Sequence, residues 1–140
     1  VAAIKQGRQE VLELGNLDAR RDWGYAPEYV AGIWRMLQMD EPTDLVLGTG
    51  EVASVGDFLQ KAGEAADVDI HRHIEISERL FRPSEVDFLL ADSAMAKELI
   101  DWHPKIKFEE LANIMTEHEL EAKGMFLLDK VPSSVWDRLV

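Results

Sequence analysis

Apolar positions along this chain switch repeatedly between alternation and helical spacing, and that switching predicts an α/β fold. Residues 1–8, VAAIKQGR, read as the last turns of a helix stopped by Gly7. Across residues 10–14 a valine and two leucines alternate with acids, the pattern of an edge-like strand. Gly15, Asn16 and Asp18 then predict a turn. Ala26 and Pro27 open a helix whose Val30, Ile33, Trp34 and Leu37 fall at i, i+3, i+4 and i+7, with Trp34 expected in the core. Residues 44–48, DLVLG, form an apolar run bounded by turn signals, which predicts a buried strand.

Ser54 and Asp57 mark the start of a second helix with a stripe of Val55, Phe58, Leu59 and Ala62. Val68, Ile70, Ile74 and Ile76 alternate with polar residues, predicting a strand with one wet face. A short strand is expected over 86–90. Asp92 and Ser93 start a helix through Ile100 with Met95 and Leu99 inward, broken by the residues DWHP at 101–104. The last helix is expected over about 108–123, with Leu111, Ile114 and Met115 inward, and Gly124 ends it. The tail that follows carries Phe126 and Trp136, apolar enough to dock on something. No repeat, low-complexity segment or linker interrupts this order.

Charge changes the picture by exclusion. The 27 acids against 15 bases give a net charge of −12, which argues against a nucleic-acid backbone or an anionic membrane as partner. A small anionic ligand stays compatible, provided a few arginines make the local field. With no cysteine, neither a disulfide framework nor a thiolate metal site can form. No apolar run approaches the roughly 20 residues of a membrane-spanning helix, and a cytoplasmic location is expected. At 140 residues the chain is long enough for one core, and without an initiator methionine Val1 is expected to be an interior residue of a longer chain.

Three stretches carry candidate chemistry. Arg20, Arg21 and Asp22 follow the turn and precede Trp23 and Gly24; a guanidinium held there suits a phosphate, or the arginines simply pair with neighbouring aspartates across a hairpin. The loop Gly48-Thr49-Gly50 follows a predicted strand, but GTGEVAS lacks the third glycine of a dinucleotide fingerprint and is not read as one. His71 and His73, with Asp69 and Glu75, share one face of a predicted strand; without a third histidine, a solvated face is the better reading than zinc.

Leu14 to Gly24, LGNLDARRDWG, closely resembles the run L-G-N-[LM]-D-[AS]-x-R-D-W-G of the GDP-mannose 4,6-dehydratases, in the extended short-chain dehydrogenase/reductase superfamily. Thr49-Gly50-Glu51 with Ser54-Val55, and Phe81-Arg82-Pro83-Ser84-Glu85-Val86-Asp87, match in the same order. The resemblance covers about residues 1–122 and implies the C-terminal portion of such an enzyme, its last Rossmann strand and helix elements plus the smaller substrate-binding domain. Within it, about 26–66 would join the cofactor-domain sheet; residues 123–140 form a tail without a recognised counterpart.

The resemblance implies conversion of GDP-mannose to GDP-4-keto-6-deoxymannose with NADP, by oxidation at C4, loss of water across C5 and C6, and hydride return to C6. It assigns Arg21 and Arg82 to the diphosphate or its flanking nucleotide and Glu85 to the ribose hydroxyls. NADP and the catalytic residues would belong to an N-terminal Rossmann half. Consistently, neither Tyr25 nor Tyr29 has a lysine at the fourth following place. A homo-oligomer of the full-length protein is implied, and a family lysine near the diphosphate would precede Val1. The chain departs from the family pattern at Tyr25, where histidine is usual, at Glu78-Arg79-Leu80, which places an extra base near the site, and in a shortened stretch before the arginine motif. Two other readings stay open: a non-catalytic GDP-sugar-binding or oligomer-stabilising fragment, and a GDP-sugar reductase or epimerase of the same superfamily.

Overall fold

A computed structural model of the chain describes residues 1–122. The expectations for the tail and for Gly124 lie outside them. In chain order the elements are α1 (Ala2–Lys5), β1 (Leu12–Leu14), β2 (Arg20–Asp22), α2 (Ala26–Met36), β3 (Val52–Ser54), α3 (Val55–Ala66), a 3₁₀ turn (Ile70–His73), β4 (Ile74–Ile76), a second 3₁₀ turn (Glu78–Leu80), α4 (Ala94–Ile100) and α5 (Phe108–Glu121).

β1 and β2 flank the predicted turn, yet they do not form a hairpin with each other. β1 pairs in parallel with β4, Leu12 opposite Ile74 and Leu14 opposite Ile76. β2 pairs antiparallel with β3, Arg20 opposite Ser54 and Asp22 opposite Val52. Asn16 does form the turn, its Oδ1 accepting the Asp18 N–H at 2.9 Å. Gly15 is required there by close approach, because a Cβ would sit 2.7 Å from the Leu80 carbonyl oxygen.

One apolar cluster joins Ile4, Leu59 and Ile70, with Leu12, Leu14 and Ile74 packed against it, so α1, α3 and the β1–β4 pair share a core. A second joins Ala96, Ile100 and Trp102 to Tyr29, Met36 and Leu47. Trp23 stacks on Phe58 at 4.8 Å, and Phe108 meets Phe58 edge-on at 5.9 Å. This aromatic group ties the stretch after β2 to α3 and α5, which lie against each other.

Several expectations are corrected. The predicted strand over 44–48 is not one: it has no pairing partner among the described residues, and Val46 is exposed. The face of α2 bearing Val30, Ile33, Trp34 and Leu37 is also exposed, so Trp34 is not in the core; Glu28 and Gly32 are the buried positions. The long strand expected from Val68 to Ile76 shortens to β4. Arg72 donates its N–H to the Asp69 carbonyl and its Nε pairs with the Asp69 carboxylate at 2.7 Å, which closes a turn instead. The strand expected over 86–90 reduces to a single parallel bridge, Arg20 with Phe88. In α4 the inward residues are Ala96 and Ile100, one position on from the expected Met95 and Leu99. In α5 Leu111, Ala112 and Thr116 are buried while Met115 is exposed.

α3 begins as expected. Ser54 Oγ accepts the Asp57 N–H at 2.9 Å and Asp57 Oδ2 accepts the Ser54 N–H at 2.8 Å, a complete capping box.

Candidate functional site

Two segments 64 residues apart in sequence meet at β2. Arg20 donates its N–H to the Asp87 carbonyl at 2.8 Å and accepts the Leu89 N–H at 3.2 Å. With β3 on its other side, β2 is held on both edges, and residues 85–89 are fixed beside it. Arg21 then donates from Nη2 to Glu85 Oε1, while its Nη1 donates to the Arg20 carbonyl at 2.7 Å. Both side chains of this pair are largely covered. Arg21 therefore does not pair with Asp18 or Asp22, the local hairpin arrangement left open by the sequence.

Arg82 lies three residues before Glu85, exposed and without an ion pair to the described residues, Glu85 and Asp87 included. Glu85 Oε2 accepts no hydrogen bond among the described residues. Of the three expected site residues, Arg21 and Glu85 form a covered pair with one carboxylate oxygen free of hydrogen bonds from the described residues, and Arg82 lies three positions before Glu85 in the chain. Such a set can accept hydrogen bonds from hydroxyls and donate a fork of N–H groups to an oxyanion. The extra base expected at Arg79 points elsewhere, its Nη2 bonded to Glu13 at 2.6 Å.

Asp22 was not singled out from the sequence, although it adjoins Arg21. Its Oδ1 accepts the Thr49 N–H at 2.8 Å and the Thr49 hydroxyl at 2.6 Å, and its Oδ2 accepts the Gly50 N–H at 2.9 Å. A carboxylate thus occupies the loop donors that a pyrophosphate would need. These bonds commit the Thr49 and Gly50 N–H groups to Asp22.

His71 and His73 lie in the 3₁₀ turn, and His73 Nδ1 is 2.8 Å from the Glu10 carbonyl. Among the described residues no group of three or more His, Asp or Glu could hold a metal ion. An open hollow of about 360 Å³ beside His71 and Asp67, and a smaller one beside Arg35 and His103, contain none of the three site residues. Among the described residues no helix is long and apolar enough to cross a membrane.

The arrangement of short parallel and antiparallel strands with flanking helices has counterparts among solved structures. The RMD of Pseudomonas aeruginosa, solved with NADPH, superposes with a TM-score of 0.74 at 20% identity, over 85% of this chain and 39% of that one. Residues 1–115 match the family model of GDP-mannose 4,6 dehydratase. GDP-mannose 4,6 dehydratase 1 of Arabidopsis thaliana is 44% identical over 118 residues, covering 84% of this chain and 33% of the relative. The human GDP-mannose 4,6 dehydratase is 40% identical over 138 residues, covering 86% and 37%. The chain belongs to the GDP-mannose 4,6-dehydratase family, and it spans about a third of the length of these relatives.

Proposed function

We propose that this chain is the C-terminal, substrate-binding portion of an NADP-dependent GDP-mannose 4,6-dehydratase, and that residues 1–122 supply half of the cradle for the GDP-sugar. The relatives carry that enzyme's name, and the reaction is the conversion of GDP-mannose to GDP-4-keto-6-deoxymannose. The observation that carries the reading is the meeting of Arg21 with Glu85, three positions after an exposed Arg82 that forms no ion pair with the described residues. Two motifs far apart in sequence are joined by backbone bonds to Arg20, and their side chains form one polar site.

In this reading the Arg82 fork grips the diphosphate and Glu85 accepts from the two vicinal ribose hydroxyls. Arg21 completes the cradle at the nucleotide side. The chemical steps on the sugar, and NADP itself, belong to an N-terminal Rossmann half. The exposed apolar face of α2 and the unpaired 44–48 segment support the view that residues 26–66 add to that half's sheet. Assembly of the full-length protein into a homo-oligomer is part of the same proposal.

Calorimetric titration of the intact protein with GDP tests it. Arg82→Ala is expected to weaken GDP binding by about tenfold to a hundredfold, the equivalent of one charge-assisted bond of about 1.5–3 kcal/mol. Arg82→Lys keeps the charge without the fork and should also weaken binding. Unchanged GDP affinity in Arg82→Ala would sink the assignment.

A further inference from the structure

The smaller of the two hollows, about 170 Å³, is lined by Arg35, Trp102, His103 and Lys105, none of which the GDP-sugar reading uses. Its walls are tied together by hydrogen bonds. In the first turn of α2 the Glu28 carboxylate accepts the Lys105 N–H at 2.7 Å, and the Glu28 carbonyl accepts the Trp102 indole N–H at 2.9 Å. In the last turn Arg35 donates from Nη1 to the Ile100 carbonyl at 3.2 Å and to the Asp101 carbonyl. Residues 100–106 are thus clamped across α2 at both of its ends.

The clamp uses a single nitrogen of the guanidinium. Arg35 Nε and Nη2 hold no hydrogen bond to the described residues. That edge of the fork can meet two oxygens of an oxyanion side by side. With Nη1 already fixed, little side-chain freedom is left to lose when an anion binds. Lys105 adds a second positive charge to the lining. The opposing charge at the rim is the Asp101 carboxylate, 3.1 Å from His103 Nε2 and 91% exposed, so water weakens its field. Glu28, Ala31 and Arg35 recur at i, i+3 and i+7 on one side of α2, whereas the exposed Val30, Ile33, Trp34 and Leu37 form the opposite side. A partner seated on the apolar face therefore leaves the hollow accessible.

We propose that this hollow is a binding site for a small oxyanion of the phosphate class, gripped by the Nε–Nη2 edge of Arg35 with Lys105 lending charge. It involves none of Arg21, Arg82 and Glu85.

Calorimetric titration of the intact protein with inorganic phosphate tests it, at an ionic strength held constant with chloride so that screening does not change. Saturable uptake is expected. Arg35→Lys keeps the charge but loses the fork, and should weaken phosphate binding by about tenfold or more while GDP affinity stays as in the wild type. Asp101→Asn removes the rim carboxylate and should tighten phosphate binding several-fold. Asp101 has φ 49°, a left-handed conformation that asparagine also adopts, so this variant keeps the fold. Absence of saturable uptake, or equal uptake of acetate, would overturn the proposal. So would an Arg35→Lys variant that binds phosphate like the wild type or loses GDP in parallel, or an Asp101→Asn variant that binds phosphate no tighter.

Discussion

The Thr49 hydroxyl donates to the Asp22 carboxylate at 2.6 Å, across 27 residues of sequence. Around that bond the Thr49 and Gly50 N–H groups close on the same carboxylate. Asp22 is the last residue of β2, so the anchor sets the end of the strand that carries Arg21. Gly48 is forced by the same crowding, since a Cβ there would lie 2.1 Å from the Ala91 Cβ and 2.9 Å from Asp22 Oδ2.

Replacing Asp22 should therefore cost stability. Asp22→Ala strands two backbone donors and a hydroxyl, and a hydrogen bond to a charged group contributes about 1.5–3 kcal/mol. Asp22→Asn retains one acceptor oxygen and should cost less. Urea unfolding of the intact protein would show this as a lowered midpoint at unchanged slope. A change under about 0.5 kcal/mol would mean that the loop is held by something else.

The capping box of α3 gives a pH-dependent prediction. The Asp57 carboxyl is held below the usual aspartate range, chiefly by the backbone N–H of Ser54, then by the Ser54 side chain, with a smaller pull from Arg20. A lowered folded-state pKa means that the unfolded chain binds more protons near that range. The contribution is present above the unfolded value, about 3.9, and is lost as pH falls through the folded one. Asp57 is exposed, so the effect is small. Ser54→Ala should cost about 1 kcal/mol near neutral pH. The stability gap between the wild type and Asp57→Asn should close as the solution is acidified; a gap constant from about pH 7 to about pH 3 would contradict an origin in this cap.

What the sequence revealed, and what it hid, divides along physical lines. Local signals were legible: the Asn16 turn, Pro27 in the first turn of α2 and the Ser54–Asp57 cap depend on neighbours in the chain. Strand partners were not, because β1 finds β4 and β2 finds β3 across some 30 to 60 residues. Helix faces were half legible. Met95 and Leu99 are spaced like Ala96 and Ile100, and spacing alone does not say which pair turns inward. At the site, Arg21, Arg82 and Glu85 were named from motif likeness, but the pairing of Arg21 with Glu85 needed the fold. The buried Glu28 gave no warning either: its carboxylate accepts the Lys105 N–H at 2.7 Å and its carbonyl accepts from Trp102 Nε1 at 2.9 Å.

That same contact makes Gly32 a sensitive position. A Cβ added there would stand 2.8 Å from Trp102 Nε1 and 2.9 Å from Leu47 Cδ1. Alanine gains about 1 kcal/mol of helix propensity over glycine, but overpacking of this kind costs about 1–3 kcal/mol and disturbs the Trp102–Glu28 bond. Gly32→Ala should be net destabilising by thermal melting. A more stable variant would show that the Trp102 ring can give way.

The apolar face of α2 yields the last prediction. Ile33, Trp34 and Leu37 are 52%, 62% and 76% exposed, and Val46 on the neighbouring segment is 55% exposed. Covering a side chain of this size contributes about 1.5–3 kcal/mol, so an uncovered group of four is a strong drive to associate. Residues 1–140 expressed by themselves should therefore self-associate, or bind a hydrophobic dye, and should not oxidise or reduce a nicotinamide cofactor. Charged substitutions at Ile33 and Leu37 together should suppress both association and dye binding, because they break the patch without touching the buried side at Glu28 and Gly32. Light scattering and dye fluorescence measure the two effects. A monodisperse monomer that melts cooperatively at high concentration would contradict the prediction, since the face would then have to be covered by the chain itself.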